Sequence, residues 1–333
     1  MPHVTIIIAT HNSARYLDRC LDAVAVQDYA DFETIVVDSG STDASALVAK
    51  RREAPGLRAV ALGRNLGFAV ANNEGAALAH GRWLATLNPD AFPRHDWLSS
   101  LVSATRRHPE AAMFGSTQLD AADGARLDGC GDCYHPFGLM WRGGHGWTID
   151  ALPAEGEVFS PCAAAALWRR DEFLAAGGFD ARYFCYCEDV DLGFRLRMRG
   201  HRCIQVAGAV VEHVGAGSSG GNQDFMLYHG TRNRVWVFAK NMPWPLLLVM
   251  APAHVAAAAA FLAGALYRGH ARPVARGLRD ALLKLPEVWS AREATGPARA
   301  WAVMQAMTWR LGPLLRRAPD VRPSAPLAAQ HRQ

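Results

Sequence analysis

The chain has 333 residues, half of them hydrophobic and a fifth charged, with a formal net charge of +4. That balance excludes a wholly disordered protein and allows one large α/β domain with an appendage, or two smaller domains. The charge is uneven: from Arg268 onward 12 basic residues face 4 acidic ones, whereas before it 23 face 27.

Val4–Ala9 opens the chain as a buried-strand pattern, with no basic segment or cleavage site of a secretory signal, so a cytoplasmic protein is expected. A helical pattern follows at Arg15–Ala25, then a strand at Phe32–Val37 that runs into Asp38-Ser39-Gly40-Ser41-Thr42-Asp43. Ala44–Arg52 resumes helical spacing, Leu57–Leu62 is a third strand, Ala69–His80 a third helix and Trp83–Leu87 a fourth strand. This alternation predicts right-handed βαβ units and a mostly parallel sheet flanked by helices. Ligands of such sheets bind beyond the carboxyl ends of the strands, where Thr10–Asn12, Asp38–Asp43 and Asn88–Asp90 all fall.

Residues Asp120–Gly156 are rich in glycine and aromatics with weak periodicity and read as a long loop or lid. Regular structure is expected again at Phe159–Arg169 and in a helix over Asp189–Arg199. From Trp244 to Tyr267 no Asp, Glu, Lys or Arg occurs, across 24 residues. A membrane span needs about 20 mostly apolar residues, but alanine inserts weakly and Pro245, Pro252 and His254 interrupt the run. A span, an interfacial helix and a buried core helix all remain open. Arg268, Arg272, Arg276, Arg279 and Lys284 follow at helical spacing, as one basic face suited to anionic headgroups. The basic excess sits beside an apolar segment rather than among aromatics on the body, which gives no support to nucleic-acid binding. From about Ala318 the chain is rich in Pro and Ala and reads as a loose tail. The seven cysteines are odd in number and scattered, as in a reduced cytoplasmic protein. Cys130, Cys133, His135, Cys185 and Cys187 match zinc-ligand spacing only loosely.

Several polar clusters have the composition of a site. Asp38 closes the second strand, where a carboxylate can accept from a base N–H or ribose hydroxyls, while Asp43 suits the capping of a helix. Asn65 and Gly67 precede a helix carrying Asn72 and Asn73, whose amides can read polar ligand edges. Asn88-Pro89-Asp90 offers a hard oxygen ligand for magnesium or manganese, and a diphosphate would supply others. Glu188-Asp189-Val190-Asp191 puts more acid at a helix N-terminus than capping requires, and an Asp there could take a hydroxyl proton. His213 gains meaning as a ligand if it shares a cation with Asp90.

In this order the motifs resemble the family 2 glycosyltransferases with the GT-A fold, and most of all their rhamnosyltransferase-like branch. The likeness rests on Val4–Asn12, Ile35–Asp43, Asn65–Asn73, Leu87–Asp90, Gly177–Asp180 with Phe184 and Glu188–Leu192, His213 and Arg232-Asn233, over about residues 1–240. It implies that Thr10, Asn12, Asp38, Asn65, Gly67, Asn73 and Asn88 hold the donor, a dTDP-, UDP- or GDP-sugar. It implies that Asp90 and His213 bind a divalent cation (Mg2+ or Mn2+), that Asp189 is the catalytic base, and that Glu188 orients the acceptor or supports the base. The reaction implied is a single displacement that inverts the anomeric carbon. It would deliver a sugar to a saccharide or lipid-linked saccharide at the cytoplasmic face of the inner membrane, for cell-surface polysaccharide. Residues 241–317 would form a helical membrane-associating region and 318–333 the tail.

Two departures matter. The family's usual Asp-x-Asp is Asn88-x-Asp90 here, which thins the cation shell. No Gln-x-x-Arg-Trp follows the Asp189 helix, which favours transfer of one or a few sugars over processive synthesis. A sugar-1-phosphate nucleotidyltransferase would carry a glycine-rich basic loop where Thr10-His11-Asn12-Ser13 stands. A non-catalytic membrane-bound scaffold would be expected to have lost Asp90 or the Glu188-Asp189 pair.

Overall fold

The computed structural model describes residues 2–215, 222–293 and 296–324. The first seven elements follow the expected alternation: β1 (Val4–Thr10), α1 (Ala14–Ala25), β2 (Phe32–Asp38), α2 (Ser45–Arg51), β3 (Leu57–Ala61), α3 (Gly67–Leu78) and β4 (Trp83–Leu87). A short β5 (Ala91–Pro93), α4 (Trp97–Arg107) and a long β6 (Ala111–Asp120) come next. Then follow β7 (Leu127–Cys130), β8 (Asp132–His135), β9 (Leu139–Arg142), β10 (Gly156–Glu157) and β11 (Ala165–Arg169). After them come α5 (Arg170–Ala175), α6 (Glu188–Met198) and β12 (Arg202–His213). The remainder is helical: α7 (Gln223–Asn241), α8 (Leu246–Tyr267), α9 (Ala271–Leu283), α10 (Leu285–Ser290), α11 (Pro297–Ala306) and α12 (Leu311–Arg316).

The main sheet runs β10-β12-β6-β11-β4-β1-β2-β3, with β5 added at β12 and β7 at β6. β1 is parallel to both β2 and β4, β2 to β3, and β12 to β6, whereas β11 lies antiparallel between β4 and β6. The run of isoleucines in β1 reflects burial on both faces. Ile6 and Ile8 join Leu17, Leu21, Leu98 and Leu101 on one side, and Ile7 packs with Ala69, Ala76, Phe173 and Leu192 on the other. A third core joins α6 to α7 and the later helices through Phe194, Trp236, Val237, Ala281 and Val303.

Two expectations differ from the structure. Residues 120–156 are not one long loop: they supply β7 to the main sheet, the β8–β9 hairpin, and β10. These strands have two to four residues each, too short for an alternating pattern to show. The tail, expected to be loose from Ala318, is docked at its start. Ala318 O accepts from Trp141 Nε1 at 2.9 Å, and Arg322 exchanges two backbone hydrogen bonds with Glu157. Gly156 permits that approach, because a Cβ on it would stand 2.3 Å from Arg322 O. Residues 325–333 lie outside the described residues.

Among the described residues, one helix, α8, is long and apolar enough to cross a membrane. Arg272, Arg276 and Arg279 lie on α9, all exposed, with Arg268 just before it.

Candidate active site

The residues expected to hold a donor gather at the carboxyl edge of the parallel strands. Thr10 and Asp38 are register partners at the ends of β1 and β2. Both are buried, and Thr10 Oγ1 and Asp38 Oδ1 have no hydrogen-bond partner in the structure. Buried polar atoms are seldom left unpaired without reason, so this edge has the character of a place where a polar ligand completes the bonding. The other carboxylate oxygen of Asp38 accepts from Ser41 N at 3.1 Å, which curls the loop after β2. Ser39 Oγ accepts from Leu66 N at 2.9 Å and ties that loop to the Asn65-Leu66-Gly67 turn.

The remaining donor-side candidates divide. Asn65 accepts from Gly67 N at 3.0 Å, which closes the turn into α3. Gly67 has φ +85°, and a Cβ there would stand 2.6 Å from Phe184 O, so this turn requires glycine. Asn12 spends its side-chain oxygen on Thr42 N at 2.8 Å and Asp43 N at 3.3 Å, and so braces the loop over Asp38–Asp43. Asn73, expected to line the donor pocket, has both ends of its amide committed elsewhere. It donates to Phe179 O at 2.7 Å and accepts from Phe179 N at 2.8 Å. It therefore clamps the Gly177–Phe179 turn onto α3. Asp43 accepts from Ala14 N and Ser45 N, the bland capping work its position suggested.

β4 delivers Asn88-Pro89-Asp90 and β12 delivers His213 to the same point. His213 Nε2 lies 3.5 Å from Asp90 Oδ1 and 3.3 Å from the Asn88 amide nitrogen. Val214 N donates to Asp90 O at 3.0 Å, which fixes the two segments side by side. His213 Nδ1 faces Asp128 Oδ2 at 2.8 Å, and Asp128 is held in turn by Arg142 and by His145. Burial alone would lower the imidazole, but hydrogen bonds and charge from Asp128 and Asp90 outweigh it and lift His213 to about 9. Burial works against the Asp128 carboxylate too, yet His145, His213 and Arg142 hold it well below the usual range. A carboxylate, an imidazole nitrogen and an amide oxygen (Asn88 Oδ1, buried without a partner) are a donor set that suits manganese or magnesium. An Asp–His pair behind a ligand position is also how proteins orient a ligating histidine.

The acidic side begins at α6. Phe184, Tyr186 and Cys187 all have φ between +66° and +70°, a conformation that non-glycine residues adopt only when their surroundings enforce it. The enforcement comes from α7. Asn233 Nδ2 lies within 3.0 Å of the Tyr183, Cys185 and Tyr186 carbonyls, and Arg232 donates to Arg182 O and Tyr183 O. The strained turn delivers Glu188 and Asp189 to the first turn of α6. Asp189 accepts from Val190 N at 2.8 Å and from Ala163 N at 3.0 Å. The next carbonyl, Ala164 O, accepts from Asn88 N at 2.8 Å. Two residues of one strand-leading segment therefore join the Asp189 carboxylate to the Asn88–Asp90 turn.

Asp132 and Cys162 crowd Asp189, with one donor atom of each within 4.8 Å of the others. Burial raises the Asp189 carboxyl despite its backbone hydrogen bonds. Burial, and then the charge of Asp189, raise Glu188 and Asp132 well above the ordinary carboxylate range. Asp191 plays a different part. Fully buried, it is bound by Arg195, Lys240, Asn241 and Tyr183. Asp128, Asp132, Arg142 and Cys162 were not singled out from the sequence for this site. Three of them lie in the aperiodic stretch over 120–156, and only the pairing of β7 with β6 and β8 with β9 brings them in.

The family Glycosyl transferase family 2 matches residues 5–127. The chain is 29% identical over 239 residues to the N-acetylglucosaminyl-diphospho-decaprenol L-rhamnosyltransferase of Mycobacterium tuberculosis, covering 65% of this chain and 77% of that protein. It is 35% identical over 129 residues to a succinoglycan biosynthesis protein of Rhizobium meliloti, covering 39% of this chain and 36% of the relative. In fold it is similar to a mannosyltransferase from Pyrobaculum calidifontis solved with GDP-Man and Mn2+. There the TM-score is 0.55 at 21% identity, over 91% of this chain and 86% of that one. The matched segment, which carries β1 to β4 with Thr10, Asp38 and Asp90, is a domain of Glycosyl transferase family 2.

Proposed function

We propose that the protein is an inverting transferase that moves a sugar from a nucleotide-diphosphate sugar to a hydroxyl of a saccharide or lipid-linked saccharide. The observation that carries this reading is the bridge over Ala163-Ala164, which joins Asp189 to the turn bearing Asn88 and Asp90. A base for the acceptor and a cradle for the departing diphosphate thereby share one rigid support.

Thr10 Oγ1 would donate to the nucleoside and Asp38 Oδ1 would accept from it, both being unpaired at the ends of paired strands, with the Asn65–Gly67 turn as the pocket wall. Asp90 and His213 would hold Mg2+ or Mn2+, with the Asn88 amide beside them. A divalent cation there supplies charge stabilisation for the leaving diphosphate. Asp189 takes the proton of the acceptor hydroxyl while that oxygen bonds to the anomeric carbon from the face opposite the diphosphate. The bond from the anomeric carbon to the diphosphate oxygen breaks, and its electron pair leaves with the nucleoside diphosphate. Glu188, buried with Oε2 unpaired, would orient the acceptor or support Asp189. We assign the chain to cell-surface polysaccharide synthesis at the cytoplasmic face of the inner membrane, and take rhamnose as the transferred sugar from the name of the mycobacterial relative.

Calorimetric titration of the full chain with dTDP, UDP and GDP, with and without Mn2+, tests this. One nucleotide should bind selectively and need the cation. Well-folded protein that binds none of them would refute the reading.

A further inference from the structure

The membrane reading above leaves open whether α8 crosses the bilayer or lies on it, and the packing of α8 separates the two. α8 follows α7 after a short turn and touches it at two places. The Phe238 and His254 rings stack at 4.1 Å, and the Arg234 guanidinium lies 4.7 Å from the Phe261 ring centre. His254 Nδ1 is also 2.8 Å from Phe137 O, in the turn between β8 and β9. Leu246 and Leu247 at the start of α8, His254 within it and Ala265 near its end are all buried. α8 is thus held at its start, at His254 and near its end.

α7 cannot follow it into lipid. It is the helix whose Arg232 and Asn233 hold the turn before Glu188, and whose Lys240 is buried against Asp180 and Asp191. A spanning α8 would carry these polar groups into hydrocarbon, where each costs several kcal/mol.

The outward face of α8 has a different character. Its exposed residues run from Leu248 and Val249 through Val255 and Ala259 to Leu266 and Tyr267, at helical spacing and without one charged or amide side chain. Over 22 residues this makes an apolar stripe about 30 Å long, more than a soluble surface leaves uncovered. Trp244 and Trp289, edge to face at 6.1 Å and both exposed, stand near its start. The exposed Arg268, Arg272, Arg276 and Arg279 follow its end. Apolar side chains with tryptophans and arginines at the margins match the layers of an anionic lipid surface.

We propose that α8 lies in the plane of an anionic membrane, outward face down, and does not cross it. This deepens the membrane part of the reading above and rests on it. The test uses the full chain and sealed vesicles of phosphatidylcholine, with or without an equal amount of phosphatidylglycerol. The protein should float with the anionic vesicles and bind phosphatidylcholine alone about tenfold or more weakly. Val255→Glu with Ala259→Glu should lose flotation yet keep nucleotide binding, which shows that the variant is folded. Trp244→Cys and Tyr267→Cys, at the two ends of α8, should both react with an impermeant maleimide added outside, above the background of the unsubstituted chain. An end that reacts only after the vesicles are opened would mean a span and overturn the proposal. Failure to float would overturn it too, as would a dimer that the same two glutamates dissociate. Nucleotide binding without flotation would remove the membrane surface and leave the transferase standing. Flotation without nucleotide binding would do the reverse.

Discussion

Asp128 Oδ2 lies 2.8 Å from His213 Nδ1, and that contact turns the other ring nitrogen towards Asp90, 3.5 Å away. A carboxylate behind a histidine fixes the ring and raises its basicity as a ligand. Asp128→Asn should therefore weaken Mn2+ binding by about 10–100-fold. The measurement is a titration of free Mn2+ by electron paramagnetic resonance, independent of turnover. Affinity equal to that of the unsubstituted chain would deny Asp128 a part in orienting His213.

Asp189 must be ionised to take a proton, and burial raises its carboxyl above the ordinary value. Activity should rise with pH, with the acidic limb of kcat above the ordinary Asp value of about 4. Asp189→Asn should lower transfer by at least about 10²-fold and leave nucleotide binding intact, because it removes the base without touching the donor edge. Product chromatography and calorimetry on the same preparation read both. A variant with normal turnover would exclude Asp189 as the base.

Asp191 is buried among Arg195, Lys240, Asn241 and Tyr183, where its charge supports the fold. Burial opposes its charge, but Arg195 and Lys240 outweigh burial and hold the carboxyl below its usual range. A depressed folded value means that the contribution is complete above the unfolded value of about 3.9 and is lost as pH falls below it. Asp191→Asn leaves Arg195 and Lys240 with one charge fewer between them and should cost about 3–5 kcal/mol at neutral pH. Denaturant unfolding at pH 7 and pH 3 would show a gap between variant and parent that narrows in acid. A gap independent of pH would contradict the ionic explanation.

Asn233 holds three carbonyls of the turn before Glu188. Asn233→Ala should free that turn and cost about 2–3 kcal/mol, near the sum of the bonds lost. Amide hydrogen exchange over residues 184–189 should accelerate, with kcat reduced and donor affinity unchanged. Unaltered exchange there would show that Arg232 and the packing of Phe184 suffice.

The sequence was most legible where function and chain order coincide. Thr10 and Asp38 end strands of the early βαβ run and Asp90 follows another, so periodicity alone placed them at one edge. Asp189 was legible as acid in excess at a helix start. Asn73 was expected to face a ligand, and its amide faces the Phe179 backbone 106 residues away, a distinction that an amide on α3 does not show in sequence. Asp128, Asp132 and Arg142 were missed because strands of four residues carry no usable period, and their partners are far along the chain.

The two halves of the site differ in how much of the chain must be in place to form them. Thr10 and Asp38, 28 positions apart, adjoin as soon as β1 pairs with β2. Joining His213 to Asn88 closes a loop of 125 residues, and holding the turn before Glu188 waits for α7. Loop closure favours the shorter connection, and local opening begins where the long ones meet. As denaturant is added, the pairing of Thr10 with Asp38 should outlast the contact of His213 with Asn88.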